Sequence, residues 1–310
     1  SKSLPNRLWL SKSSDLFNFD LGEGLDDEAI EFAILSDQVN AIKAVVSARH
    51  LLVFTTGAEW MVTGQPLTPE SIQLSRQTKV GMYTGCYVPP QNVDGATLFV
   101  SSGGRQIREF LFADVEQAYQ AKDLTLLSSE IIKNPRDCIY HSDDSVLYVV
   151  LGDGSVSCLT TYRTEQVNAW SKLKTDGSFR SVAAIGDDIY FCVSRKNGWF
   201  IEKMEDDWWV DCSTRLTSET PKKHWDGLDI YNGSEVSVVA DNFTIGLYEV
   251  KNSAIDLDEA ASEIIVGYPY EHIIEPLPFM QESARPWPPK ALRVVQGLFR
   301  IIRSRSFRIN

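Results

Sequence analysis

One short pattern of apolar and polar positions recurs along the chain, and it is cleanest at Leu51–Gly64, LLVFTTGAEWMVTG. Four apolar residues run into a Thr-Thr-Gly turn, and a second short strand, Glu59-Trp60-Met61-Val62, leaves it. Comparable hairpins follow at Leu98–Gly104, Val146–Gly154 and Ile189–Trp199, and an earlier copy is readable at Leu8–Ser11 followed by Asp15–Phe19. The copies start roughly 42 to 49 residues apart, the spacing of one four-stranded propeller blade. A strand pair with a tight turn cannot bury its own faces, so such units are expected to stack.

Taken in order, residues 1–22 predict a strand pair, LWLS and then LFNFDLG, with Phe17 and Phe19 alternating around Asn18. Ala29–Ile34 reads as strand and Ser36–Asn40 as a short helix or turn. Ser71–Thr78 alternates like a half-buried strand, and Gly81–Asp94 crosses to the next blade. Asp114–Ser129 holds the clearest helical candidate, with Leu124, Leu126 and Leu127 expected to pack inward. Cys138–Leu173 is one complete unit with a type I′ turn expected at Asp153-Gly154, and Phe179–Lys203 repeats it. After Met204 the pattern changes: Glu205–Asp211 opens a connection, and Thr214–Lys223 is polar with one Pro. The runs EVSVVAD, FTIGLYEV, AIDLD and EIIVGYP follow at about ten-residue spacing, tighter than a blade. Pro269–Pro289 reads as extended loop and Ala291–Asn310 as further strands.

The fold expected is therefore mostly β. A β-propeller-like domain over residues 1–205, read as a fragment of a longer chain with its closure left open, is followed by a small β-barrel or sandwich domain over 206–310 with basic C-terminal strands.

Charge sharpens this picture. The net charge is −12, yet Ser283–Asn310 carries seven Lys or Arg and no acid, so residues 1–282 carry −12 − 7 = −19. An acidic body repels nucleic acid while the basic end attracts it. Arg293, Arg300, Arg303, Arg305 and Arg308, with Lys290, are candidate contacts to DNA phosphates or to a partner; the rival reading is a strand with Arg on one solvated face. No apolar run approaches the 18 residues of a membrane-spanning helix, and the start has no signal-peptide pattern. The chain begins without Met and enters a strand within eight residues, so the natural chain is expected to begin earlier.

Candidate chemistry is sparse. The five scattered cysteines predict reduced, mostly buried thiols made in a cytosol, and the four isolated histidines predict turn or surface residues. Asp26-Asp27-Glu28 reads as a solvated turn rather than a metal cluster, because successive strand residues point to opposite faces. Asp143-Asp144 and Asp187-Asp188, at the same place before a strand in two repeats, read as turns in which Asp bonds local backbone, without the oxygen ligands a calcium loop needs. The glycine-rich Ser102–Arg105 and Gly152–Gly154 sit inside hairpins rather than between strand and helix, where a phosphate cradle would need them. Trp208 and Trp209, with Trp225, are candidate domain-junction or interface aromatics; a carbohydrate platform is the alternative for the Trp pair. No catalytic, metal-binding or cofactor-binding residue is assigned, and no cofactor is expected.

Several stretches in order carry a resemblance. LWLSKSSDLFNFDLG precedes a DDxxIE segment, then LLVFTTGAEWMVTG with PLTPESIQLSRQTKVG, LFVSSGGRQIREFLF with DLTLLSSEII, IEKMEDDWWVDC, HWDGLDIYNGSEVSVVADN and SEIIVGYPY. This order, over roughly Leu8–Phe299, resembles the phage tail nozzle or tail tubular protein B-like family of short-tailed phages and prophages, and more distantly their packaged-DNA stabilisation proteins. The resemblance implies a non-enzymatic virion protein, longer at both ends than this chain. It implies a homo-oligomeric ring, usually a hexamer, in the virion tail, made in the host bacterial cytoplasm. Tail adaptor or tubular proteins and tail fibres are the implied partners, with transient, non-specific passage of DNA. A propeller that binds a host-surface glycan or receptor, and a propeller glycosidase, are the competing readings.

Overall fold

The structure, a computed structural model, describes residues 3–35, 40–205, 208–275, 296–298 and 300. The chain divides into two compact units, Ser1–Glu205 and Asp206–Asn310.

The first unit opens with a two-stranded antiparallel pair, β1 (Arg7–Leu10) and β2 (Ile30–Ala33). Three four-stranded antiparallel sheets follow in sequence order. The first is β3 (Ile42–Ser47), β4 (Leu51–Thr55), β5 (Glu59–Thr63) and β6 (Gln73–Thr78). The second is β7 (Gln91–Val93), β8 (Ala96–Val100), β9 (Ile107–Ala113) and β10 (Ala118–Asp123). The third is β11 (Pro135–His141), β12 (Val146–Leu151), β13 (Val156–Tyr162) and β14 (Val167–Leu173). A fourth sheet has three strands, β15 (Ser178–Ile185), β16 (Asp188–Arg195) and β17 (Gly198–Lys203). These sheets start 49, 44 and 43 residues apart (42 to 91, 91 to 135, 135 to 178), so each repeat of the sequence pattern from β3 onward is one propeller-like blade, whereas the copy read at Leu8–Phe19 is not.

Alternation along the strands explains why the sheets stack. In a strand, successive side chains leave on opposite faces. Leu52 and Phe54 of β4 therefore face the second sheet, where Met61, Met82, Phe99 and Phe110 join them. Val53 of β4 faces the other way, with Trp60 and Val62, and meets Leu8, Phe32 and Ile34 at the leading pair. The third sheet repeats the device: Leu147, Val149 and Leu151 pack on Leu98, Val100 and Ile107, whereas Tyr148 and Val150 pack on Phe179, Val182, Phe191 and Val193. Full burial of one such side chain stabilises by about 1.5–3 kcal/mol, against about 1 kcal/mol net for a hydrogen bond. The shared apolar faces, not the ladders, hold the stack together.

Several expectations are corrected here. LFNFDLG is not a strand, since β1 pairs with β2 across it and Asn18 and Asp20 side chains bind local amides instead. Asp114–Ser129 is not helical: β10 occupies its middle in register with β9, leaving Leu126 and Leu127 exposed, and only Leu124 reaches the core. The Asp153-Gly154 turn is a three-residue loop rather than type I′. Leu151 pairs with Ser155 around it, and of the loop residues only Gly154 has positive φ, +85°. His141 is a buried strand residue whose Nδ1 meets Asp144 Oδ2 at 2.9 Å. Most of Ser36–Asn40 lies outside the described residues.

The second unit holds one antiparallel sheet, ordered β18 (Asp211–Trp225), β21 (Ile255–Tyr268), β19 (Glu235–Ala240), β20 (Phe243–Glu249), so that β18 and β20 are its edges. A single 3-10 turn, Asp229–Tyr231, lies in the connection from β18 to β19. The polar Thr214–Lys223 is part of β18. Its Pro221 is accommodated because the strand is an edge and the register shifts between Thr217 and Lys222. AIDLD and EIIVGYP form one strand, β21, rather than two. One face packs Val236, Val238, Ile264 and Val266 with Trp225, Leu228 and Tyr231. The other packs Val239 and Ile265 with Val210 and Trp208.

Candidate assembly surfaces

The sequence-predicted residues fall into three classes. Trp225 is 1% exposed in the core of its own unit, where Nε1 donates to the Lys222 carbonyl at 3.2 Å and the Lys222 ammonium lies 4.4 Å from the ring. It has no surface to offer a partner, which corrects its reading as an interface aromatic. Trp208 is half-buried against Val210, Val239 and Ile265, and Trp209 beside it is half-buried. Arg300 is exposed, whereas Arg293, Arg303, Arg305 and Arg308 lie outside the described residues, as do the expected C-terminal strands.

The acidic turns behave as local structure. Glu28 accepts the amides of Gly24 at 2.6 Å and Leu25 at 2.8 Å, and these bonds, led by that of Leu25, hold its carboxyl below the usual range. Burial pushes the Asp153 carboxyl up, but the Ser155 hydroxyl and amide and the Lys172 ammonium outweigh it and bring it to about 2. Asp188 pairs with Lys203 at 2.9 Å, and that hydrogen bond keeps its carboxyl low. Among the described residues no three or more His, Cys, Asp or Glu gather as a metal site. Among them, too, no helix is long and apolar enough to cross a membrane.

One buried carboxylate went unnoticed in the sequence. Glu59 is fully buried at the start of β5, where it accepts the Thr78 hydroxyl, the Val80 amide at 3.2 Å and the Gly81 amide at 2.7 Å. Burial raises its pKa despite these three donors. Gly81 must be glycine: its φ is +74°, and a Cβ would stand 2.3 Å from the Thr56 carbonyl oxygen. Glu59 therefore braces the crossing between the first and second sheets. The pattern of the strand gives one signal, an acid set among residues that all turn inward.

The exposed apolar surface is concentrated in a few places. Between β1 and β2 the loop shows Leu16, Phe17, Phe19 and Leu25 to solvent, with Phe17 at 92% exposure, and Leu35 just after β2 is exposed as well. On the outward face of the fourth sheet, Trp199 and Ile201 of edge strand β17 are 66% and 81% exposed, and the Arg180 guanidinium lies 5.9 Å from the Trp199 ring. On the second unit, edge strand β20 exposes Phe243 and Leu247. Apolar side chains on free strand edges are the usual chemistry of association between chains.

No curated protein matches the chain. Among solved structures, the chain is similar to BamB from Moraxella catarrhalis, at 10% identity over 65% of this chain and 52% of that one, with a TM-score of 0.41. It is also similar to a protein from Lactobacillus plantarum (14% identity, 52% and 50% coverage, TM-score 0.36) and to a luciferin-regenerating enzyme (12%, 55% and 61%, 0.35). The chain thus spans about half the length of the first two. Residues 7–239 match the family described as bacteriophage nozzle protein. That match takes in the leading pair, all four propeller-like sheets and the second unit as far as β19, so the chain belongs to the bacteriophage nozzle protein family.

Proposed function

We propose that this chain, a structural component of a phage tail by its family, is one subunit of a homo-oligomeric ring. The ring, a hexamer, extends the portal and adaptor channel of a short-tailed phage or prophage and retains or passes DNA. The observation that carries the reading is the nozzle-family match over residues 7–239. The stack of sheets supports it, because blades packed face to face make a stiff wall that needs no ligand to hold its shape. The role is structural and non-enzymatic. Tail adaptor or tubular proteins and tail fibres are its partners, and the subunit is made in the host cytoplasm before it joins the virion tail.

Charge supports passage rather than binding of DNA. Residues 1–282 carry −19, and seven cations with no acid are confined in the sequence to Ser283–Asn310. Carboxylates repel phosphates, so an acidic channel wall lets a duplex slide without sticking. A ring whose channel wall proved basic would sink this part of the reading.

The test is the mass of the chain in solution, alone and in its longer natural form, with negative-stain images of both. Rings in the longer form are expected. A monomer in both forms would overturn the ring, and glycan-array binding would then be measured, with the exposed Trp199 as the first residue to replace.

A further inference from the structure

We propose that the loop between β1 and β2 is a docking surface, and that its occupant is the basic segment Ser283–Asn310 of a second copy of this chain. The inference rests on the ring reading above and names a contact within it. The loop is apolar and acidic together. Leu16, Phe17, Phe19 and Leu25 are 75%, 92%, 52% and 60% exposed, in a stretch that also holds Asp15, Asp20, Glu23, Asp26, Asp27 and Glu28. No Lys or Arg occurs from Ser13 to Ile42.

This surface is presented on a hydrogen-bonded frame. The Ser13 amide donates to the Asp27 carbonyl at 3.0 Å and the Lys12 amide to the Asn18 carbonyl at 2.9 Å, while the Glu28 carboxylate gathers two further amides. Large apolar side chains held outward by an ordered backbone have already met part of the entropic cost of binding.

Charge complementarity selects the occupant. The loop has five acids besides Glu28, which is engaged by the loop amides and lies 3.8 Å from Lys12. Ser283–Asn310 has seven cations and no acid, interleaved with apolar residues such as Leu292, Val294, Val295, Leu298 and Phe299. A nucleic acid would be repelled by the loop and would leave its aromatics uncovered. The basic segment offers both the opposite charge and apolar side chains to cover Leu16 and Phe17. Loop and segment are different patches of one chain, so pairing them between copies is heterologous, the kind of contact that closes into a ring when the rotation allows.

The probe is a labelled peptide of residues 283–310 titrated with the full chain, beside a scrambled peptide of the same composition. Tight binding of the native peptide is expected, weakened about tenfold or more by the double substitution Leu16→Ser, Phe17→Ser, which touches exposed side chains only. Raising salt from about 0.05 to about 0.5 M should weaken it further. The mass of the full chain with and without the same substitutions is measured in parallel. If the scrambled peptide binds equally, or the substitutions leave binding unchanged, the contact is overturned; rings that persist in the substituted chain would then leave the ring reading standing. A chain that stays monomeric in its longer form as well, yet binds the native peptide through Phe17, would count against the ring and for the contact.

Discussion

The carboxylate of Asp137 accepts the amide of Val182 at 3.1 Å, and so the third sheet satisfies a backbone donor of the fourth just past the bulge between Phe179 and Ser181. The same device joins the other blades. Gln77 Oε1 accepts the Tyr119 amide at 2.7 Å between the first and second sheets. Gln91 accepts the Tyr140 amide at 3.4 Å and donates to the Cys138 carbonyl at 3.3 Å between the second and third. Apolar faces supply most of the adhesion, and these polar side chains set the register in which the faces meet.

Replacing Asp137 by Leu should strand the Val182 and Cys138 amides and lower stability by about 1–3 kcal/mol. Asp137→Asn keeps one acceptor oxygen and should lose less. Denaturant midpoints at unchanged slope measure both, and an unmoved midpoint for Asp137→Leu would show that the bond contributes nothing.

Glu59 makes stability depend on pH in a definite direction. Its folded pKa is raised above the ordinary value of 4.5, chiefly by burial, so the folded chain holds the proton more tightly than the unfolded one. Its contribution is complete below the unfolded pKa and is lost as pH rises through the folded value. The stability of the natural chain relative to Glu59→Gln should therefore fall as pH climbs from about 4 toward 8. Paired melting curves across that range test the sign, and a difference that stays flat would refute it.

The thiols should divide by burial. Cys138 and Cys158 are buried in β11 and β13, and burial pushes each thiol up to about 12. Cys86, Cys192 and Cys212 are only half-buried. An alkylating reagent at mild alkaline pH should modify the latter group first, leaving Cys138 and Cys158 to react on unfolding. Peptide mass mapping reads this directly; early labelling of Cys138 would mean that the third sheet opens readily.

Trp225→Ala should cost about 3–5 kcal/mol, because it empties a fully buried site between Leu228 and Val236. Trp208→Ala, at a half-buried site, should cost clearly less. Thermal melts of the two variants rank them, and equal losses would show that Trp208 is as much a core residue as Trp225.

Much of this molecule is legible in its sequence. The spacing of hairpins such as Leu51–Gly64 and Val146–Gly154 depends on local alternation and turn chemistry, and both survive into the fold as blades. The order of its stretches pointed to the nozzle family, and the family match agrees. Local chemistry does not reach further. Asp114–Ser129 has a helical pattern in isolation, but Ala118–Asp123 is drawn into the ladder beside β9, and partner strands outweigh propensity. Phe17 and Phe19 alternate like strand residues, yet β1 takes β2 as its partner and leaves them outside. Trp225 could not be told from a surface aromatic, because burial depends on Tyr231, Val236 and Ile264, which the chain brings around it only on folding. Nor could Glu59 be recognised as a brace, since its donors at Thr78, Val80 and Gly81 lie about twenty residues away along the chain. The sequence by itself determined the repeat, the mostly β character and the charge of this protein, because those follow from neighbouring residues. Which faces are covered, which polar groups are paired and which apolar side chains are left for a partner were decided by tertiary structure, because each depends on residues distant in the chain.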